Sequence, residues 1–217
     1  AAAHAAGAYF FSDCVQAAPS CDLKELARHA DALALSAHKV GGPKGVGALV
    51  VKKGVPIAPL IAGGEQERGL RGGTSNVAGA VGFARALSLA QAEREAYIRH
   101  TGSLRDAFEQ RILAELGSEV RADGARRVPN ISHLTFARGG TAFLNALDLA
   151  GVACSGGAAC SSHSAQPSHV LMAMGRSAEE ALRGVRFSFG RETTAEEAAR
   201  AADTVIEKYR IFSRAQA

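Results

Sequence analysis

Residues 31–54 read DALALSAHKVGGPKGVGALVVKKG. Two apolar runs, DALALSA (31–37) and VGALVVKKG (46–54), have the length and side-chain content of strands, and the glycine-rich loop HKVGGPKG separates them. Upstream, AYFFSD (8–13) is a further short apolar stretch that ends in a carboxylate. DLKELARHA (22–30) then has the character of a short helix, with Asp22 placed to cap it. Strand, helix and strand in close succession predict an α/β sheet that carries functional side chains at its strand ends.

Downstream, AGGEQERGLRGGTSN (62–76) is polar and turn-forming, and 77–117 is rich in Ala, Leu and Arg at helical spacing. Strands and helices then alternate through 131–137, 141–150, 168–174 and 184–190. Thr194 with Glu197 forms a capping box that starts a terminal helix running to about Ile211. A boundary near residue 95, inside the long helix, predicts two domains. Residues 1–95 read as part of a larger α/β domain and 96–217 as a smaller α+β domain. A strand this close to a start without Met reads as the middle of a protein.

Composition sets the outer limits. The 217 residues are 47% hydrophobic and 21% charged, ordinary for a soluble globular chain with a real core. The net charge of +4 comes from scattered Lys and Arg with few aromatics, which suits anionic ligands rather than a nucleic-acid surface. No apolar run approaches the roughly 20 residues of a membrane helix, and the N-terminus lacks the pattern of a signal peptide. The four cysteines, Cys14, Cys21, Cys154 and Cys160, have 6, 132 and 5 residues between them. Those spacings match neither a zinc template nor a compact disulfide framework, so free intracellular thiols are expected.

The chemistry concentrates in a few strings. In SAHKVGGPKG (36–45), Lys39 directly follows a buried strand, an apolar setting that lowers an amine's pKa and favours Schiff-base chemistry. Ser36 and His38 flank it and suit a phosphate or a cofactor ring; a polar hairpin loop with solvated lysines is the plainer reading. Asp13, followed by Gln16, offers the carboxylate that a pyridine-type cofactor needs on its ring nitrogen, or else a helix cap. In RGGT (71–74), backbone amides and Thr74 suit a phosphate, with a helix cap as the alternative. CSGGAACSSHSAQPSHVL (154–171) surrounds Cys160 with small residues and no periodicity, the character of an exposed loop with a reactive thiol. Cys154 lies nearer the apolar VAC and reads as buried and inert. His163 and His169 are near enough in sequence to donate protons, or are plain surface histidines. VRFSFGR (185–191) alternates, which puts Arg186, Ser188 and Gly190 on one face and Val185, Phe187 and Phe189 on the other. Arg186 then suits a carboxylate, with a plain surface arginine as the alternative.

Taken in order, FFSDCVQAAP, ALSAHKVGGPKGVGAL, GGEQERGLRGGTSN, SGGAACSS and VRFSFGR resemble the NifS- and IscS-like cysteine desulfurases of the class V aminotransferase family. The resemblance implies fold type I of the pyridoxal-phosphate-dependent transferases, with an incomplete large α/β domain and a small C-terminal α+β domain. It implies Lys39 as the Schiff-base lysine and proton shuttle, with Asp13 on the pyridinium nitrogen and Gln16 on the phenolic oxygen. Ser36 and His38 would hold the phosphate in the same subunit, and Thr74 would do so across a homodimer interface. Arg186 would hold the carboxylate of L-cysteine, and Cys160 would attack its sulfur to leave alanine and a persulfide. A cytoplasmic enzyme follows that passes sulfur to an acceptor protein, such as an iron–sulfur scaffold, or to a thiolation pathway. Transient iron–sulfur ligation at Cys160 is compatible with that role, and a stable metal site is not expected.

Two departures are small: SGGAAC stands in place of SSGSAC, and Cys14 occupies a position where the family often has a small residue. A larger one is that the family's first half of the large domain has no counterpart in this sequence; a boundary of this stretch, proteolysis and a second gene product that supplies the rest are the alternatives. A selenocysteine lyase or another class V enzyme is the nearest alternative. A non-catalytic module that docks a sulfur acceptor or a complementary chain is the alternative of another kind.

Overall fold

Alternation decides the second half of the chain. In the computed structural model, which describes residues 2–156 and 166–215, the chain divides into two compact units, Ala1–Tyr97 and Ile98–Ala217.

The first unit opens with a short helix, α1 (Ala2–Ala5), and the strand β1 (Phe11–Asp13). Helix α2 (Leu23–His29) begins at Asp22, whose carboxylate accepts from the amides of Lys24 and Glu25, the cap expected from the sequence. Strand β2 (Ala32–Ser36) follows, then a 3-10 turn over Ala37–Val40 and strand β3 (Gly47–Val51). The sheet has the order β1–β2–β3, with β1 parallel and β3 antiparallel to β2. Leu33 and Leu35 of β2 are buried with Cys14, Ala18, Ala30, Ala37 and Phe83. Phe83 lies in α3 (Val77–Ala92), which Asn76 caps by accepting from the Gly79 amide. The long helix expected over 77–117 is two helices, because the backbone at Glu93 turns to φ −94° and ψ 5°, outside the helical region, before α4 (Arg94–Leu116) begins.

The second unit contains most of α4, then the strands β4 (Val120–Ala122) and β5 (Ile131–Phe136) and helix α5 (Thr141–Leu149). The two-residue strand β6 (Ser155–Gly156) follows, with the short helices α6 (His169–Ala173) and α7 (Ala178–Leu182), strand β7 (Gly184–Ser188) and helix α8 (Ala195–Arg214). The capping box of Thr194 and Glu197 starts α8 where the sequence predicted it. The strands form an antiparallel sheet of order β4–β5–β7–β6. Leu134 and Phe136 of β5, with Val185 and Phe187 of β7, face a core that α4 fills with Leu104, Phe108 and Ile112, each one helical turn apart. Phe143 of α5 packs edge-on against Phe136 and Tyr209 at centroid distances of 5.0 and 5.6 Å. Strand β4 and helix α7 carry too few residues to show a period and had no sequence signal.

Phe143 is fully buried at the meeting point of three aromatic rings. Phe143→Ala is expected to destabilise the second unit by roughly 3–5 kcal/mol, read as a fall in its urea midpoint at unchanged slope. A loss below about 1 kcal/mol would show that the ring cluster is not the centre of this core.

Candidate active site

Parallel pairing carries β1 and β2 to the same end of the first sheet. Asp13 pairs with Ala34, so Asp13, Ala34 and Ser36 share one face at the carboxyl ends of both strands. The Ser36 hydroxyl and His38 Nδ1 lie 2.8 Å apart, a hydrogen bond that holds two of the expected phosphate ligands together. One oxygen of Asp13 accepts from the Val15 amide at 2.9 Å and starts the turn that carries Gln16. That turn is tied to the end of α3 by Gln91, whose amide donates to the carbonyls of Ala18 and Cys21 and whose oxygen accepts from the Leu23 amide.

Lys39 lies in the 3-10 turn that leaves β2. Gly41, at φ +81°, ends that turn in the left-handed conformation that glycine adopts without strain. At Gly42 a Cβ would come within 3.0 Å of the Ala37 carbonyl and 3.2 Å of the Ala86 methyl group on α3. The loop after the lysine is therefore packed onto α3 by the smallness of its residues. The strand before Lys39 is buried as expected, with Ala37 at 0% exposure, but the Lys39 side chain itself is exposed. The apolar setting predicted for the amine stops at the backbone, because among the described residues of this unit the Asp13–Ser36 face of the sheet stays open, with Phe11 and Leu49 exposed on it. Asp13, Gln16 and Thr74 are exposed too. Thr74 precedes α3 without capping it, since Asn76 takes that role.

In the second unit, Arg186 is on the central strand β7, between His133 of β5 and Ser155 of β6. The alternation read from VRFSFGR holds: Val185, Phe187 and Phe189 are buried, and Arg186 faces away from them, half-buried. The Nε atom of Arg186 is buried and has no hydrogen-bond partner among the described residues. Cys160 and His163 lie outside the described residues. His169, the first residue of α6, is exposed. Cys154, six residues before Cys160, is half-buried, and burial with the nearby charge of Asp148 pushes its thiol up to about 11. Among the described residues no group of acids, histidines and cysteines is placed to hold a metal ion, and no helix is long and apolar enough to cross a membrane.

One cluster carried no sequence signal. Asp123, immediately after β4, takes bonds from Thr135, His133 and Arg176, partners that lie 10 to 53 residues away. Burial pushes its carboxyl up, yet the bonds from His133 and Thr135 and the Arg176 charge outweigh this and hold it below the ordinary carboxylate value.

Comparison with known proteins gives a consistent picture. The aminotransferase class-V family profile matches residues 1–200. A cysteine desulfurase of Gluconacetobacter diazotrophicus is 42% identical over 218 aligned positions, covering 98% of this chain and 54% of that protein. A solved structure of a NifS-like protein superposes with a TM-score of 0.81 at 34% identity, over 94% of this chain and 53% of the other. SspA, solved in complex with cysteine, superposes with a TM-score of 0.62 at 31% identity, over 86% of this chain and 52% of the other. The chain thus spans about half the length of the curated relatives it matches. The α/β architecture of the fold type I transferases, expected from the sequence, is the one these structures share with it.

The raised Cys154 pKa gives a direct test. A thiol reacts as thiolate, so a pKa near 11 leaves roughly one part in a thousand reactive at pH 8. Alkylation of Cys154 by iodoacetamide, followed by peptide mass spectrometry, is expected to accelerate about tenfold per pH unit from pH 8 to 10. A rate that levels off by pH 9 would show that the thiol is not held in its protonated form.

Proposed function

This chain belongs to the aminotransferase class-V family, and from that premise we propose that it carries one half of a pyridoxal-phosphate-dependent cysteine desulfurase. The observation that carries the reading is the meeting of Asp13, Ser36, His38 and Lys39 at the carboxyl ends of two adjacent parallel strands, where open α/β sheets bind their ligands. The donor set fits pyridoxal phosphate: a carboxylate for a ring nitrogen, a hydroxyl with an imidazole for a phosphate, and an exposed primary amine for an aldehyde. When bound, the cofactor supplies an electron sink for the substrate's carbon framework.

The chain's own residues do the rest. Asp13 keeps one carboxylate oxygen beyond the one used by the Val15 amide, and that oxygen would hold the proton of the ring nitrogen. Gln16 would bond the phenolic oxygen, Ser36 and His38 would hold the phosphate, and the Lys39 amine would take up and return a proton at its Nζ. Arg186, whose Nε lacks a partner, grips the α-carboxylate of L-cysteine. The Cys160 thiolate attacks the substrate sulfur, so that an S–S bond forms as the C–S bond breaks. The electron pair stays with the carbon, which takes a proton and becomes the methyl group of alanine. The persulfide on Cys160 then passes to a sulfur acceptor, such as an iron–sulfur scaffold protein, in the cytoplasm. The high thiol pKa of Cys154 supports Cys160, not its neighbour, as the nucleophile.

Two further parts of the reading concern assembly. Thr74 reaches the phosphate of a second copy in a homodimer. A segment equivalent to the other half of the relatives covers the open face of the first sheet. On that face Phe11 and Leu49 are each 57% exposed, although sheets with parallel strands are ordinarily covered on both sides.

The test combines this chain with pyridoxal phosphate and with the N-terminal portion of the Gluconacetobacter diazotrophicus relative. A visible absorbance band that shifts on addition of L-cysteine is expected. Lys39→Ala should abolish the band, and Cys160→Ser should keep it but form no persulfide. A band that survives Lys39→Ala would overturn the assignment of the lysine, and persulfide formation in Cys160→Ser would overturn that of the cysteine.

A further inference from the structure

The Asp123 amide donates to the His133 carbonyl at 2.9 Å, which extends the β4–β5 register by one residue. His133 pairs with Arg186, and Arg186 with Ser155. Asp123, His133, Arg186 and Ser155 therefore form one row across the four-stranded sheet, on the face opposite the Phe187 core. Helix α6 lies over that face. A Cβ on Gly184 would stand 2.5 Å from His133 Cε1 and 3.1 Å from Leu171 Cδ1, so the imidazole and the α6 leucine already fill that space.

Asp123 holds this arrangement closed. Its Oδ1 accepts from Arg176 Nε at 3.1 Å and Nη2 at 2.9 Å, just beyond the end of α6. Its Oδ2 accepts from the Thr135 hydroxyl and lies 3.0 Å from His133 Nδ1. The Asp123 side chain is 2% exposed, and a buried carboxylate is tolerated only while its partners stay in place. Within one row, then, a carboxylate is fully satisfied and the neighbouring guanidinium has an orphan donor.

Resting on the reading of Arg186 as the carboxylate site, we propose that Asp123 is a positioning residue for ligand binding there. By holding Arg176 and His133 it fixes α6 and the imidazole as walls beside Arg186. The guanidinium Nε is thereby left without a partner among the described residues, which favours a planar carboxylate that can satisfy two donors at once.

The experiment follows the side-chain Nε–H signal of Arg186 in the ¹⁵N-labelled 217-residue chain during titration with L-alanine, the signal being assigned by its loss in Arg186→Lys. Asp123→Asn and Arg176→Met are each expected to weaken binding about tenfold. Glu109→Gln breaks another guanidinium pair with a buried acid in this unit, that with Arg127. It should lower the melting temperature and leave L-alanine affinity unchanged, which separates positioning from mere stability. If Asp123→Asn does not fold, Arg176→Met, at a side chain 25% exposed, decides alone. Wild-type affinity in the folded variants, with binding lost in Arg186→Lys, would overturn the role of Asp123. Wild-type affinity in Arg186→Lys, followed through the backbone amides of β7, would overturn the carboxylate reading itself.

Discussion

Parallel pairing of β1 with β2 is the constraint on which the chemistry of the first unit depends. Had β1 run antiparallel, its carboxyl end would lie beside Asp31, and Asp13 would be a strand length away from Ser36 and Lys39. The register is locked at the other end by Asp31. Its amide donates to the Phe10 carbonyl at 2.7 Å, and its carboxylate accepts from the Phe10 amide at 2.7 Å and from His4 at 2.8 Å. The Phe10 amide above all, with His4 next, holds the Asp31 carboxyl below its ordinary value. A structural acid at one end of the strand pair thus fixes where the Asp13 carboxylate stands at the other.

In the second unit the two-residue period of β7 does the equivalent work. Val185 and Phe187 are buried against α4, where Phe108 meets Phe187 at a centroid distance of 4.8 Å, and this fixes the strand's rotation. Arg186 is thereby committed to the opposite face whatever its own preferences. A register slip of one residue would have to expose three buried side chains and bury the guanidinium against aromatic rings. The core therefore supplies the free energy that keeps this cation half-buried, with its Nε unpartnered among the described residues.

Much of this was legible because it rests on local patterns. The strands flanking Lys39, the Asp22 cap, the Thr194 capping box and the alternation around Arg186 are each encoded within a few residues. The single long helix over 77–117 was not correct, since helical spacing continues through Glu93 while its dihedral angles leave the helical region. The exposure of Lys39 was also illegible, because a buried strand says nothing about what covers the side chain after it. The Asp123 cluster was out of reach for another reason. Its partners come from β5 and from the end of α6, and only the sheet's pairing order brings them to one carboxylate.

The two ionic groups of that row are best understood together. An unsatisfied buried donor such as Arg186 Nε costs about 1–3 kcal/mol, and a neighbouring carboxylate is the ordinary way to remove such a cost. Asp123 is one strand further across the sheet, yet it is committed to Arg176, Thr135 and His133. The imidazole stands between the acid and Arg186 in the row, and Gly184 provides the room for it to do so. The fold thus spends its one deeply buried aspartate on this sheet in bracing α6 and leaves Arg186 without an internal counter-ion among the described residues. A guanidinium kept open in this way is an arrangement that a bound carboxylate would stabilise and that the described residues alone do not.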